Sequence, residues 1–247
     1  MSPVRAVVWG ENHHEQVDQY VRDIYPEGMH EAIAAGVRGI LGERADVSTA
    51  TLPDPEHGLS EQRLAETDVL LWWGHKRHRD VTDEVVDRVQ RHVLGGMGLL
   101  VLHSGHYSKI FTRLMGTSCT LSWRATGDEE LVWTIDPAHP IARGVPQPIR
   151  IPAQEMYGEP YDIPRPDELV FVSGFSGGEV FRSGCTFRRG AGRIFSFSPG
   201  DQHFPVYRHP DVLRVIANGI EWAASERRDR SVLTANRRID GREDWGA

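Results

Sequence analysis

Four apolar runs alternate with stretches of helical periodicity in the first half of the chain, and that alternation leaves few folds open. Residues 4–9, 46–52 and 68–73, together with Gly98–Leu102, read as buried strands. Residues 68–73 are apolar almost throughout, as expected for a parallel strand covered on both faces. Met29–Leu41 carries Met29, Ile33, Ala34, Val37, Ile40 and Leu41 at helical spacing, and Pro26 stops anything earlier from running into it. Ser60 is placed to cap a short helix through Glu66. Thr82 is placed to cap another, with Val85, Val86, Val89 and Val93 as its buried stripe. Ser108 onward reads as a fourth helix. The order βαβαβαβα predicts an α/β fold: a doubly wound, mainly parallel sheet with right-handed crossovers. Ligands bind such sheets outside the carboxyl ends of the strands.

After Met115 the pattern changes. Residues 117–126 and 130–135 have β character, 169–175 read as a strand, and 178–187 with 193–197 read as a hairpin, adding antiparallel elements to the second half. Residues 211–224 form a closing amphipathic helix. Residues 1–224 are expected to make one domain, and 225–247, charged and poor in apolar residues, a polar C-terminal arm or tail.

The 247 residues carry a formal charge of −7, which lacks the basic footprint of a nucleic-acid or anionic-membrane partner. No run of about 18 apolar residues predicts a membrane span, and the N-terminus has no signal-peptide pattern. Cys119 and Cys185 give no disulfide framework and no CxxC spacing. These features predict a cytoplasmic protein. There is no G-x-G-x-x-G after the first strand and no P-loop, so no nucleotide cofactor is expected.

The chemistry-bearing residues are the 12 histidines and their acidic neighbours. The first strand leads into Glu11, His13, His14 and Glu15, the third into His75 and His78, and the fourth into His103, Ser104 and His106. In a parallel sheet these strand ends share one edge. The stretch from Leu102 to His106 resembles a nucleophile elbow, but the outer glycine of G-x-S-x-G is missing, and a Ser there is more often a cap than a nucleophile. A helix N-terminus disfavours imidazolium, so the elbow histidines are expected to be neutral, the form that binds metal or acts as a base. Glu155 is a candidate oxygen ligand or general acid/base. Asp201 and His203 lie after a later strand. Trp9, Trp72, Trp73, Tyr107, Tyr157 and Phe204 are either core or walls on which a sugar ring stacks.

Several blocks resemble the trehalose-utilisation (ThuA) family. They are Val8-Trp9-Gly10-Glu11 with His14-Glu15, Trp72-Trp73-Gly74-His75, the run from Gly96 to Lys109, and Leu114-Met115-Gly116-Thr117. Pro137-Ala138-His139-Pro140-Ile141, Glu155-Met156-Tyr157-Gly158-Glu159, the run from Gly178 to Gly184, and Ser198-Pro199-Gly200 extend the resemblance over roughly Arg5 to Ala224. The resemblance implies the class I glutamine amidotransferase-like fold, a flavodoxin relative, and a link to catabolism of trehalose and related disaccharides through keto-sugars. The elbow cysteine of amidotransferases is absent here, which argues against glutaminase activity. Where the family commonly has Pro-Gly-His-Glu, this chain has Pro199-Gly200-Asp201-Gln202, followed by His203.

The expected function is acid–base chemistry on a keto-sugar derivative, of isomerase, lyase or hydrolase type. His103, His106, Glu155 and Ser104 are the catalytic candidates. Glu11, Trp73, Tyr107, Tyr157, Asp201 and His203 are expected to bind substrate. His14, His75 and His103 are expected to hold a divalent metal, zinc first. A sugar-binding or accessory module without chemistry is the alternative, and a serine hydrolase using Ser104 the second. The partner expected is a small sugar, with homo-oligomerisation favoured by the aromatics and polar tail.

Overall fold

The computed structural model describes residues 2–224; the expected tail at 225–247 lies outside them. Nine strands form one sheet in the order β2-β1-β3-β4-β9-β8-β7-β5-β6. Five of them, β1 (Val4–Gly10), β2 (Ala45–Thr51), β3 (Val69–Trp73), β4 (Gly98–Leu102) and β9 (Gly192–Phe197), are mutually parallel. Taken alone, they have the flavodoxin-like order, with β9 as the fifth strand, and the strand order reverses between β1 and β3. The remaining strands, β5 (Ser122–Thr134), β6 (Ile149–Gly158), β7 (Glu168–Phe175) and β8 (Val180–Arg189), extend the sheet antiparallel.

Alternation along the strands splits the core between the two faces. Ala6 and Val8 of β1 face α3 (Met29–Leu41) and α7 (Pro210–Ala223). Val7 and Trp9 face α4 (Glu61–Glu66), α5 (Asp83–Leu94) and α6 (Lys109–Met115). Both faces are therefore covered, which is why β3 and β4 are buried at every position. No helix among the described residues is long and apolar enough to cross a membrane.

The sequence expectations need four corrections. Residues 117–121 are irregular, and β5 runs unbroken in its place from Ser122 to Thr134, with register shifts that keep it paired. The strand β6 was not foreseen; its two halves differ in burial, and that blurs the period of two. Thr82 occupies the cap position of α5 without a side-chain hydrogen bond, whereas Ser60 and Ser108 do accept from Arg63 N and Phe111 N. Two short helices, α1 (His14–Val17) and α2 (Gln19–Ile24), follow β1 where a polar loop was expected.

One buried residue stands out energetically. Glu130 of β5 is fully enclosed, accepting hydrogen bonds from Gln154 and Ser173. Burial pushes its carboxyl up to about 7. Its proton leaves the unfolded chain first, so stability falls as pH rises from about 4.5 to about 7 and the loss persists above that, amounting to roughly 3 kcal/mol. Replacing Glu130 by Gln should therefore flatten this slope: the variant gains on the wild type between pH 5 and pH 8 in urea unfolding. An equal difference at both pH values would show that Glu130 ionises freely.

Candidate functional site

The carboxyl ends of β1, β3, β4 and β9 open into one cavity of about 450 Å³. His14, His75, His78, Ser104, His106, Tyr107, Glu155, Tyr157, Asp201 and His203 all line it. The expected edge thus collects residues from four parallel strand ends, and β6 contributes Glu155 and Tyr157 from the antiparallel half.

His103 is the centre of the arrangement. It sits at the end of β4 in a left-handed backbone conformation, φ +45°, that a non-glycine residue adopts at a cost of order 1–3 kcal/mol. The strained residue of this elbow is therefore the histidine rather than Ser104. Gly105 follows because a side chain there would meet the Trp72 carbonyl, 2.9 Å from an added Cβ. The His103 ring is completely buried, stacked on Tyr157 with centroids 4.6 Å apart. Its Nδ1 lies 2.7 Å from the Ser198 carbonyl, which can only accept, so Nδ1 carries a proton. Its Nε2 lies 3.1 Å from Glu155 Oε2, 3.7 Å from Asp201 Oδ2 and 3.2 Å from the Tyr157 hydroxyl.

A neutral ring in that tautomer would turn a lone pair toward two carboxylates. A proton or a cation has to lie between them. Burial lowers the imidazole, but the Asp201 and Glu155 carboxylates outweigh it and hold His103 at about 10. The expectation of a neutral imidazole at the elbow fails for His103, because paired carboxylates override the helix-end effect. Burial opposes ionisation of Asp201 too, yet its pairing with His103 and the backbone N–H of His203, 2.7 Å away, leave it below the ordinary carboxylate range.

Four other imidazoles of the cavity, His14, His75, His78 and His106, are pushed toward the neutral form. Burial, against a hydrogen bond from Nδ1 to the Cys119 carbonyl, brings His106 down to about 3. Burial likewise takes His75 to about 4 and lowers His14 and His78. His14 Nε2 and His75 Nδ1 share a hydrogen bond of 3.1 Å.

The expected metal set of His14, His75 and His103 is not the group that converges. Among the described residues, the three-ligand cluster with donor atoms within 4.8 Å of one another is His103, Glu155 and Asp201. His14 and His75 spend ring nitrogens on each other. The cluster fits a divalent cation chemically: Nδ1–H is fixed by a carbonyl, Nε2 is the remaining donor, and two carboxylates supply charge.

Two expected substrate-binding residues serve the scaffold. Both Glu11 oxygens are used by the backbone N–H groups of His75, Lys76 and Arg77, at 2.7, 2.9 and 3.0 Å. Trp73 is buried and donates to the Gly200 carbonyl at 3.1 Å. Trp9 and Trp72 stack on each other in the core with centroids 4.0 Å apart, and Phe204 packs against the opposite core.

Sequence reasoning missed Trp123 and Gln202. Trp123 lines the cavity and is 66% exposed, beside Tyr107 at 51%. Nothing local marks Trp123, because β5 brings it there from the second half. Ser104 and Gln202 line the cavity, and their Oγ and Oε1 atoms are buried without a hydrogen-bond partner.

The Glu11 carboxylate anchors the turn that carries His75. Glu11→Ala should cost about 2–3 kcal/mol and speed amide exchange at residues 75–77. Unchanged protection of those amides would refute the anchoring role.

The profile of the family described as ThuA, trehalose utilisation, matches residues 5–223. A ThuA-like protein from Bacteroides uniformis ATCC 8492 superposes with a TM-score of 0.64 at 14% identity, covering 92% of this chain and 94% of that one. A ThuA-like protein from Parabacteroides merdae ATCC 43184 gives 0.61 at 16% identity, covering 90% of each chain. A cytoplasmic protein from Salmonella typhimurium gives 0.55 at 14% identity, covering 90% of this chain and all of the other. No curated protein matches the sequence. With the flavodoxin-like sheet, the elbow after β4 and the profile spanning nearly every described residue, the chain belongs to the ThuA, or trehalose-utilisation, family.

Proposed function

We propose that this protein acts on a keto-sugar derived from a disaccharide, by proton transfer beside the ketone. The observation that carries this reading is the buried contact of His103 Nε2 with Glu155 on the cavity lining, at 3.1 Å, backed by Asp201. A base and a buried proton donor meet there, in a cavity that also carries the exposed rings of Tyr107 and Trp123, whose faces suit a sugar ring.

In this mechanism Glu155, on the cavity lining, removes the proton from the carbon beside the ketone, and the His103 imidazolium, buried behind Glu155 and Asp201, supplies charge rather than contact. The electron pair forms an enediolate stabilised by the His103 charge. Passage of the neighbouring hydroxyl's proton to the former ketone oxygen, with return of the proton held by Glu155 to the former carbonyl carbon, completes an isomerisation. Expulsion of the oxygen substituent one carbon further on, which then takes up the proton held by Glu155, completes a β-elimination. His106, neutral and fixed through the Cys119 carbonyl, accepts a hydroxyl rather than donating a proton. A divalent cation, zinc first, would be held by His103, Glu155 and Asp201 and would polarise the same ketone when bound.

Ser104 has no hydrogen-bonded base, which weighs against the serine-hydrolase reading. The non-catalytic sugar-binding reading uses the same walls, and turnover decides against it. A cytoplasmic setting, the one named for the Salmonella protein of this fold, suits two free cysteines.

Turnover of 3-keto-disaccharides, followed by NMR, tests the reading. His103→Ala and Glu155→Gln should each lose about 10²–10⁴-fold, and Ser104→Ala should stay within a few-fold. Full activity in His103→Ala would end this proposal, and sugar binding without turnover would favour the binding module. Elemental analysis of the purified protein tests the cation. Bound metal should vanish in Asp201→Ala and survive in His75→Ala; the reverse would restore the histidine triad.

A further inference from the structure

The turn that presents Asp201 and the Ser198 carbonyl is held from behind. The Gly200 N–H donates to Gln154 Oε1 at 2.9 Å, and Gln154 Nε2 donates to Glu130. Ser173 Oγ donates to the other Glu130 oxygen, and Trp73 Nε1 donates to the Gly200 carbonyl. Both backbone polar groups of Gly200, and so the two peptide units that flank it, are thus engaged. Gly200 itself has φ +146°, and an added Cβ would lie 2.0 Å from the Tyr207 hydroxyl, so the turn has no freedom to rebuild with another residue.

Glu130 lines no part of the cavity and has no place in the proton-transfer scheme. A carboxyl is an expensive group to enclose in a sheet interior, where an apolar residue would pack at no such cost. What it supplies is direction. The Gln154 amide can face the turn with either end. Opposite an acceptor, it must give its NH₂ to Glu130, and its oxygen is then left for Gly200 N–H. Ser198, two residues before Gly200, fixes the His103 tautomer, and Asp201, one residue after it, faces His103 Nε2.

We propose that Glu130 is a positioning residue for the acid–base centre: through Gln154 it locks the Gly200 peptide, and thereby the two groups that fix His103. This rests on the reading of His103 as the central group of the site. Burial also pushes the Glu130 carboxyl up to about 7, and either protonation state keeps an oxygen free to accept from Gln154.

The test compares Glu130→Gln, Glu130→Leu and Gln154→Leu in the full chain. Two signals are read: the imidazole N–H resonances of ¹⁵N-labelled His103, and hydrogen exchange of the Gly200 amide. Glu130→Gln, which preserves an acceptor toward Gln154, should match the wild type in both. The leucine variants should lose the protected Nδ1–H signal of His103 and exchange the Gly200 amide at least about tenfold faster, the loss of one hydrogen bond. If Glu130→Leu does not fold, Gln154→Leu decides with Glu130 intact. Leucine variants that keep the His103 signal and Gly200 protection, even with lowered melting temperatures, would reduce Glu130 to core filling and overturn the proposal. Failure to turn over a keto-sugar would leave these signals unmoved, so the two readings fail separately.

Discussion

The Ser198 carbonyl, by accepting from His103 Nδ1, forces the rest of the site. A carbonyl oxygen cannot donate, so the imidazole must, and its other nitrogen is left facing Glu155 and Asp201. Two buried carboxylates so close to that nitrogen are tolerable only around a positive charge. A proton held tightly on Nε2 and a divalent cation are the two ways to supply it, and both suit chemistry beside a carbonyl. The strained backbone at His103 fits this picture: the φ of +45° aims the ring at that point, and the packed sheet below holds it there.

Around this centre the protein places groups that do not compete for the charge. Burial keeps His14, His75, His78 and His106 neutral, so they lower no carboxylate and donate no proton at neutral pH. Glu11, a third carboxylate near the site, has its oxygens occupied by three backbone N–H groups, which organises the His75 turn. The same economy appears at Trp73, whose indole N–H steadies Gly200 instead of meeting a ligand. Several polar and aromatic residues of the region therefore act one step removed from the chemistry.

The parallel half of the fold was legible because its signals are local. Covered strands are apolar along their length, α3 and α5 show helical periods, and Ser60 and Ser108 cap helices within their own segments. That placed the histidine loops on one edge and made His103 a candidate, with Glu155 proposed only as the carboxylate that a histidine cluster needs. The β6 strand escaped because its burial changes midway. Counting imidazoles says nothing of which donor atoms converge: His14 Nε2 and His75 Nδ1 face each other at 3.1 Å, while the donors that meet His103 are those of Glu155 and Asp201. Trp123 carried no mark at all, since its neighbours in space lie far along the chain.

By itself, then, the sequence determined the doubly wound sheet, the edge on which a site would lie and the family, since hydrophobic period, cap chemistry and local motif are written in neighbouring residues. The tertiary structure alone decided which groups meet. The antiparallel half returns Glu155 to His103 across 52 positions, and the turn after β9 brings the Ser198 carbonyl to it across 95. Protonation follows from those meetings, because a pKa is set by what surrounds a group in space: His103 and His106 sit three residues apart on one turn, and carboxylates hold one up while burial drives the other down.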